Sequence, residues 1–395
     1  MPVHRSADAS PARGHAGSPV PIVVAGHVCL DVIPTLPAPT GPLAALLRPG
    51  SLTEVGPALL TTGGAVSNAG LTLHRLGHRV HLIGKVGDDL FGRAVMERLR
   101  AADPAATDGL LVVPGEVTSY TIVLQPPGAD RLFLHAPGAN ASFAPDEIDP
   151  DGIPENAVFH FGYPPLMRMT YTDGGTALAA LFAALRRRGV FVSLDMAMPD
   201  PQGASGRVDW RRWLACVLPH VDLFAPGLEE IRFMLAHPAG AVDGPLLVRL
   251  GETLVSLGAR LVALKLGDQG LYLHTGPTPG SPLLRPAADW AGRRLLAPCF
   301  RVTAAGTTGA GDATHAGLLA ALVRGLDPEA AVTAAVAVGA CSVEAADAPA
   351  GVPTWDALQD RLRRGWPRRP IALPLPGWSC NPATGLYHPP SNAPA

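Results

Sequence analysis

Charge is scarce in this 395-residue chain: only 16% of its residues are Asp, Glu, Lys or Arg, and the formal net charge is −2. Such a balance provides no basic face for a nucleic acid or an anionic membrane surface, so small neutral or anionic metabolites are the expected partners. Cysteine is scarce too. The five cysteines, at 29, 216, 299, 341 and 380, are odd in number, widely spaced and without a Cys-x-x-Cys pair. That pattern argues against a disulfide framework or zinc site and fits reduced thiols in a cytoplasmic protein. The longest apolar run, Ala330 to Val343, is alanine-dominated, bounded by Glu329 and Glu344, and shorter than the roughly 20 residues a membrane span needs. It reads as a buried helix. Residues 1–19 lack an apolar core segment and read as a disordered leader, not a signal peptide. No Gly-x-x-x-x-Gly-Lys-Ser/Thr stretch occurs, which excludes a P-loop.

Glycine and proline, by contrast, are plentiful, at 44 and 42 residues. Between them run short continuous apolar segments, each expected to be a strand buried on both faces of a parallel sheet: 21–26, 79–84, 157–162, 190–195, 221–224 and 261–266. Helix-compatible stretches separate them at 65–76, 91–101, 175–188 and 229–236. This alternation predicts a doubly wound α/β sandwich with right-handed crossovers. Two regions, near 31–62 and 111–136, break it with shorter runs such as Ser51 to Val55 and Thr118 to Leu124. They read either as a small β-lid that excludes water from a site or as ordinary edge hairpins. From residue 369 onward the composition is that of a proline-rich, coil-like tail, with Trp378 and Tyr387 available to pack it.

Gly306-Thr307-Thr308-Gly309-Ala310-Gly311-Asp312 lies between an expected strand at 300–302 and a helix-compatible alanine-rich segment. Glycines there let an anion approach backbone N–H groups, and a helix opening at that point adds its positive dipole end. Asp312 is the odd charge. As a phosphate ligand a carboxylate is unsuitable, but as a general base it can take the proton of a hydroxyl that attacks phosphorus. The structural alternative is a helix cap. A second block, Thr62-Gly63-Gly64-Ala65-Val66-Ser67-Asn68, opens another helix and offers an amide suited to sugar hydroxyls. After the next strand comes Gly84-Lys85-Val86-Gly87-Asp88-Asp89-Leu90-Phe91-Gly92.

Taken in order, these blocks resemble the two signatures of the ribokinase/PfkB carbohydrate kinase family, over about residues 20 to 360. The resemblance implies a three-layer α/β/α ribokinase-like sandwich at 20–368, with a mainly parallel sheet and a small β-lid. It also implies transfer of the ATP γ-phosphate to a hydroxyl of a sugar or sugar-like molecule. On this basis Asp312 matches the catalytic base, and Gly309, Ala310 and Gly311 match the anion hole. Asp31, Gly63, Gly64 and Asn68 match the acceptor subsite. His135 lies on a segment like the second lid strand, where it either faces substrate or is structural. Lys265, Gly267, Gly270 and Thr308 fall on the nucleotide side, with adenine expected between that turn and a loop near 337–343.

Departures from the family pattern are informative. Glu230 keeps the acidic residue of a motif that organises Mg2+, but Gly227 stands where the family has Asn. Gly306 stands where an Asp serves a monovalent cation, which speaks against potassium activation. Ala65 replaces the Lys of ribokinase proper. Asp195 ends a parallel strand and is either a ligand or a cap, and Asp88 and Asp89 suit a helix cap. The resemblance is compatible with a homodimer formed through the lid, although nothing in 31–62 reads as an obligate apolar interface. Two other functions fit the same residues: a nucleoside kinase of this fold, and a catalytically weak sugar-binding regulator.

Overall fold

The computed structural model describes residues 20–37, 49–126, 131–237, 240–277, 280–281, 283–284 and 286–390. The expected leader lies outside them. The main sheet follows from the apolar runs. Strand β1 (Ile22–Gly26) sends Ile22 and Val24 into one core and Val23 and Ala25 into the other, the period-2 pattern of a strand covered on both faces. Leaving the sheet, the chain forms β2 (Cys29–Pro34) and β3 (Ala58–Gly63), then α1 (Ala65–Arg75), and returns as β4 (Val80–Gly87) beside β1. Next come α2 (Leu90–Ala102), β5 (Gly109–Val113), β6 (Tyr120–Leu124) and β7 (Leu132–Ala136). The following units are β8 (Val158–Gly162), α3 (Thr176–Arg187), β9 (Phe191–Asp195), α4 (Trp210–Val217), β10 (Leu223–Phe224), α5 (Leu228–Met234), α6 (Gly244–Ser256) and β11 (Leu261–Lys265). An antiparallel hairpin, β12 (Leu271–Thr275) and β13 (Arg294–Ala297), with the short α7 (Ala287–Trp290) between its strands, completes the body. The chain ends with α8 (Ala310–Val323), α9 (Pro328–Ser342), α10 (Ala348–Gly351), α11 (Trp355–Arg363), β14 (Ser379–Cys380) and β15 (Tyr387–His388).

Among the described residues these strands make an eleven-stranded sheet in the order β14-β15-β13-β12-β11-β10-β9-β8-β1-β4-β5, parallel from β11 to β5. Residues of α1, α2, α8, α9 and α11 bury against one face and residues of α3 to α6 against the other, giving three layers. Both α8 and α9 are buried nearly all round, as a helix hydrophobic on every side must be. A separate four-stranded sheet, β3-β2-β6-β7, forms the lid. Leu59, Leu60, Phe133 and Leu134 are exposed on it, divided between its two faces because neighbouring strand residues alternate.

Four expectations change. Residues 109–113, which overlap the start of the expected lid segment at 111–136, pair with β4 and extend the main sheet. Ser51 to Val55 is exposed and forms no strand; the lid strand starts at Ala58, where pairing with β2 begins. Phe300 to Val302 makes only a single bridge, between Phe300 and Arg368, because Trp366 stacks on Phe300 at 4.5 Å and holds the segment against the C-terminal chain. The tail is not coil-like throughout: β15 pairs with β13 and covers a sheet edge that would otherwise expose unpaired backbone groups. Leu386 is fully buried there, and the Trp378 ring lies 5.9 Å from Tyr272. Leu386→Ala should therefore cost about 2–4 kcal/mol, measured as a lowered denaturation midpoint; an unchanged midpoint would mean that the tail is stabilised elsewhere.

Candidate active site

The carboxyl ends of four parallel strands converge on one crevice, the usual ligand position of an α/β sheet. His27 directly follows β1 and Tyr163 directly follows β8, while Asp195 and Lys265 are the last residues of β9 and β11. Opposite them, α8 opens at Gly309, whose φ of 78° is left-handed and favours a residue without a Cβ. That turn aims the first N–H groups of α8 into the crevice. Those of Gly311 and Asp312 belong to the helical first turn, where no intrahelical acceptor exists.

Asp312 sits in this first turn and is 1% exposed. Its carboxylate accepts from Tyr163 Oη at 2.7 and 2.8 Å and from Asn68 Nδ2 at 2.9 Å, which joins α8 to α1 and to the end of β8. Burial pushes its pKa up to about 6, and the Asp195 charge adds to this, against Lys265 and the two hydrogen-bond donors. Tyr163 has a φ of 69°, a strained geometry for a residue with a Cβ, costing about 1–2 kcal/mol. Its bonds to Asp312 help fix that conformation.

Beneath α8 lies a buried ion pair. Lys265 Nζ donates to both Asp195 oxygens, at 2.6 and 2.7 Å, and a Cβ on Gly311 would lie 3.4 Å from that nitrogen. Burial opposes the Lys265 charge, yet Asp195, Glu230 and Asp312 together hold its pKa above the ordinary lysine value. Asp195, despite complete burial, is held well below the usual carboxylate range by Lys265 and His315. Ser193 bonds the rings of His315 (Nε2, 2.6 Å) and His160 (Nδ1, 3.2 Å), extending the polar chain under the site. Glu230, in the first turn of α5, accepts from the Gly227 N–H at 2.7 Å. Burial raises its pKa to about 7, partly offset by Lys265.

The lid brings its own row. Register places Thr61, Asp31, Thr121 and His135 side by side on β3, β2, β6 and β7, and directly opposed residues share a face. Thr121 Oγ1 lies 3.1 Å from His135 Nδ1, and Cys29 Sγ donates to Asp31 Oδ1 at 3.3 Å. Burial pushes Asp31 up to about 6. Gly63 faces this carboxylate so closely that a Cβ would collide with it. Among the bonds that tie the lid to the body are Thr61 Oγ1 to Asp347 at 3.1 Å and Arg131 Nη1 to Thr308 Oγ1 at 2.7 Å.

The geometry thus brings together Asp312, the 309–311 turn, Asn68, Lys265 and Glu230, with Asp31, Gly63 and His135 along the lid side and Gly64 at the N-terminus of α1. Gly267 and Gly270 lie one turn beyond Lys265, where Cys299 Sγ meets the Gly267 carbonyl at 3.5 Å and the tail bonds Asp268 and Gln269. Residues 337–342, expected in an adenine-flanking loop, are instead in α9, because their alanine-rich sequence packs helically against α8. His27 and Tyr163 escaped the sequence reading. Their only signal was position, one residue beyond a strand end.

The model of the pfkB family carbohydrate kinases matches residues 22–355. Fructokinase-1 of Zea mays is 26% identical over 306 residues, spanning 77% of this chain and 83% of that protein. Among solved structures, the ribokinase of Arabidopsis thaliana complexed with ribose and ATP superposes with a TM-score of 0.67 at 18% identity, covering 88% of this chain and 99% of that one. A fructokinase with bound ATP from Xylella fastidiosa gives 0.64 at 21%, covering 87% and 98%. The fold is ribokinase-like, and the chain belongs to the pfkB family of carbohydrate kinases, which are phosphotransferases.

The Tyr163 bonds favour the ionised form of Asp312. Tyr163→Phe should therefore raise the Asp312 titration midpoint above its value near 6, measured by NMR of 13C-labelled aspartate; a lower midpoint would contradict the hydrogen-bond assignment.

Proposed function

We propose that the protein transfers the γ-phosphate of ATP to a hydroxyl group of a sugar, with Asp312 as general base. The observation behind this is the union of base and anion cradle on one segment: a buried carboxylate in the first turn of the helix that Gly309 opens. The acceptor hydroxyl gives its proton to Asp312 as its oxygen attacks the γ-phosphorus; the bond from that phosphorus to the β–γ bridging oxygen breaks, and ADP leaves. Charge developing on the phosphoryl oxygens is met at the 309–312 turn, chiefly by the backbone N–H groups of Gly311 and Asp312, since that of Ala310 donates to the Thr307 carbonyl. An Asp312 pKa near 6 keeps the carboxylate mostly ionised at neutral pH and makes it a stronger base than an ordinary aspartate.

Asp31, Gly63, Gly64, Asn68 and His135 hold the acceptor in this proposal, and Thr308, Lys265, Gly267 and Gly270 line the nucleotide side. ATP as donor is supported by the ATP-bound structures that the chain resembles, and a sugar acceptor by the fructokinases. Mg2+ is usually held by one or two carboxylates together with substrate phosphates and water. The half-buried Glu230 carboxylate, backed by the Lys265–Asp195 pair, fits that role and would hold the ion through water. Bound there, Mg2+ would neutralise phosphate charge.

Asp312→Asn removes the base while keeping the side chain's shape. Turnover, measured as ADP release with Mg2+, ATP and a panel of sugars, should fall by about 10³-fold, with ATP binding and melting temperature nearly unchanged. Turnover within tenfold of the parent protein would sink the assignment of Asp312 as base.

A further inference from the structure

His27 is the unexplained residue of the crevice. It is 2% exposed, and neither ring nitrogen has a hydrogen-bond partner among the described residues. The His135 ring, on lid strand β7, lies 5.1 Å away; its Nδ1 is engaged by Thr121, but its Nε2 is also buried without a partner. On the other side the Tyr163 ring lies at 5.9 Å, and Tyr163 reaches from His27 to the Asp312 carboxylate. Each buried polar atom left unpaired costs about 1–3 kcal/mol, so three of them in one place call for a missing partner. Their position, between the lid and the residue that touches the proposed base, is where an acceptor hydroxyl must sit.

We propose that His27, with His135, is the hydroxyl-reading wall of the acceptor site, and that the acceptor is a neutral polyhydroxylated sugar and not a sugar acid or sugar phosphate. This inference rests on the kinase function proposed above and adds a residue and a substrate class to it. A neutral imidazole presents one N–H donor and one lone-pair acceptor, the complement of a hydroxyl that both accepts and donates. Burial, and then the neighbouring His135, hold His27 well below the ordinary histidine pKa; burial lowers His135 likewise. Neither ring then supplies positive charge to an anion. Asp31 faces the wall from β2 and Asp312 from α8, so a carboxylate or phosphate placed there would meet like charge.

The test uses the full chain with Mg2+ and ATP, and D-fructose, D-ribose and D-gluconate as acceptor probes. His27→Phe keeps a ring of similar size but no nitrogen. It should raise KM for the preferred neutral sugar by about tenfold or more, leave ADP affinity by calorimetry within about twofold, and leave the melting temperature unchanged or higher. His27→Asn, which restores a donor and an acceptor, should recover most of the KM. His135→Phe, at a less buried position, carries the same KM expectation and covers a folding failure at His27. D-gluconate should give a kcat/KM about 100-fold or more below that of the neutral sugars. An unchanged KM in both Phe variants, or D-gluconate as the better substrate, overturns this inference alone; phosphorylation of none of the neutral sugars overturns it together with the proposed function.

Discussion

The buried Lys265–Asp195 pair is the interaction on which the rest of the crevice depends. Three carboxylates, Asp195, Glu230 and Asp312, lie within reach of one ammonium; Asp195 and Asp312 are withdrawn from water and Glu230 is partly so. Unpaired, each would be prohibitively costly to ionise. Lys265 resolves this unequally. It gives both short contacts to Asp195, which stays firmly ionised, and leaves Asp312 and Glu230 displaced upward to about 6 and 7. One internal cation thus separates three chemically similar groups into a structural anion and two groups poised near neutral pH, the separation that acid–base chemistry at pH 7 requires.

That electrostatic division needs a rigid frame, and the frame is the parallel sheet. Asp195 and Lys265 are terminal residues of β9 and β11, with the shorter β10 between them, so their spacing is set by strand pairing and not by loop conformation. Helix α8 carries Asp312 and His315 one turn apart on the same face, so the face that presents Asp312 to Tyr163 and Asn68 also anchors on Ser193. Rotation of α8 would break both sets of contacts at once. The strained Tyr163 belongs to the same device: its backbone occupies an unfavourable region while its hydroxyl spans both oxygens of Asp312.

Much of this was legible in the chain. The parallel strands announced themselves because a strand covered on both faces must be apolar throughout, and the glycine turns before Asn68 and Asp312 because a left-handed backbone at Gly64 and Gly309 favours a residue without a Cβ. What stayed hidden has physical reasons. The β12–β13 hairpin follows β11 through a five-residue turn, so its apolar residues blend with the preceding strand. Phe300 to Val302 has strand composition, but a stacked Trp366 and the Arg368 backbone decide its conformation, contacts more than 60 residues away. His27 and Tyr163 carry no motif at all. Their roles arise only when β1 and β8 lie side by side, because the pairing of Gly26 with Gly162 sets the two side chains at the same height.

The same pairing explains how lid and body can share a site without a long hinge. Only two residues, His27 and Val28, separate β1 of the body from β2 of the lid. Asn140, in the turn after β7, accepts from the Val28 N–H at 3.3 Å and donates to the Val28 carbonyl at 2.8 Å, so one amide side chain replaces a strand partner where the chain changes sheets. The crossing is thereby pinned from the lid's far strand. At the other end of the lid, Arg131 bonds Thr308 and Thr61 bonds Asp347, so the small sheet is held to the body on both sides of Asp31. His27 lies at the crossing, whereas His135 belongs to β7, so the two imidazoles meet only because the clamp and these bonds fix the lid over the ends of the parallel strands.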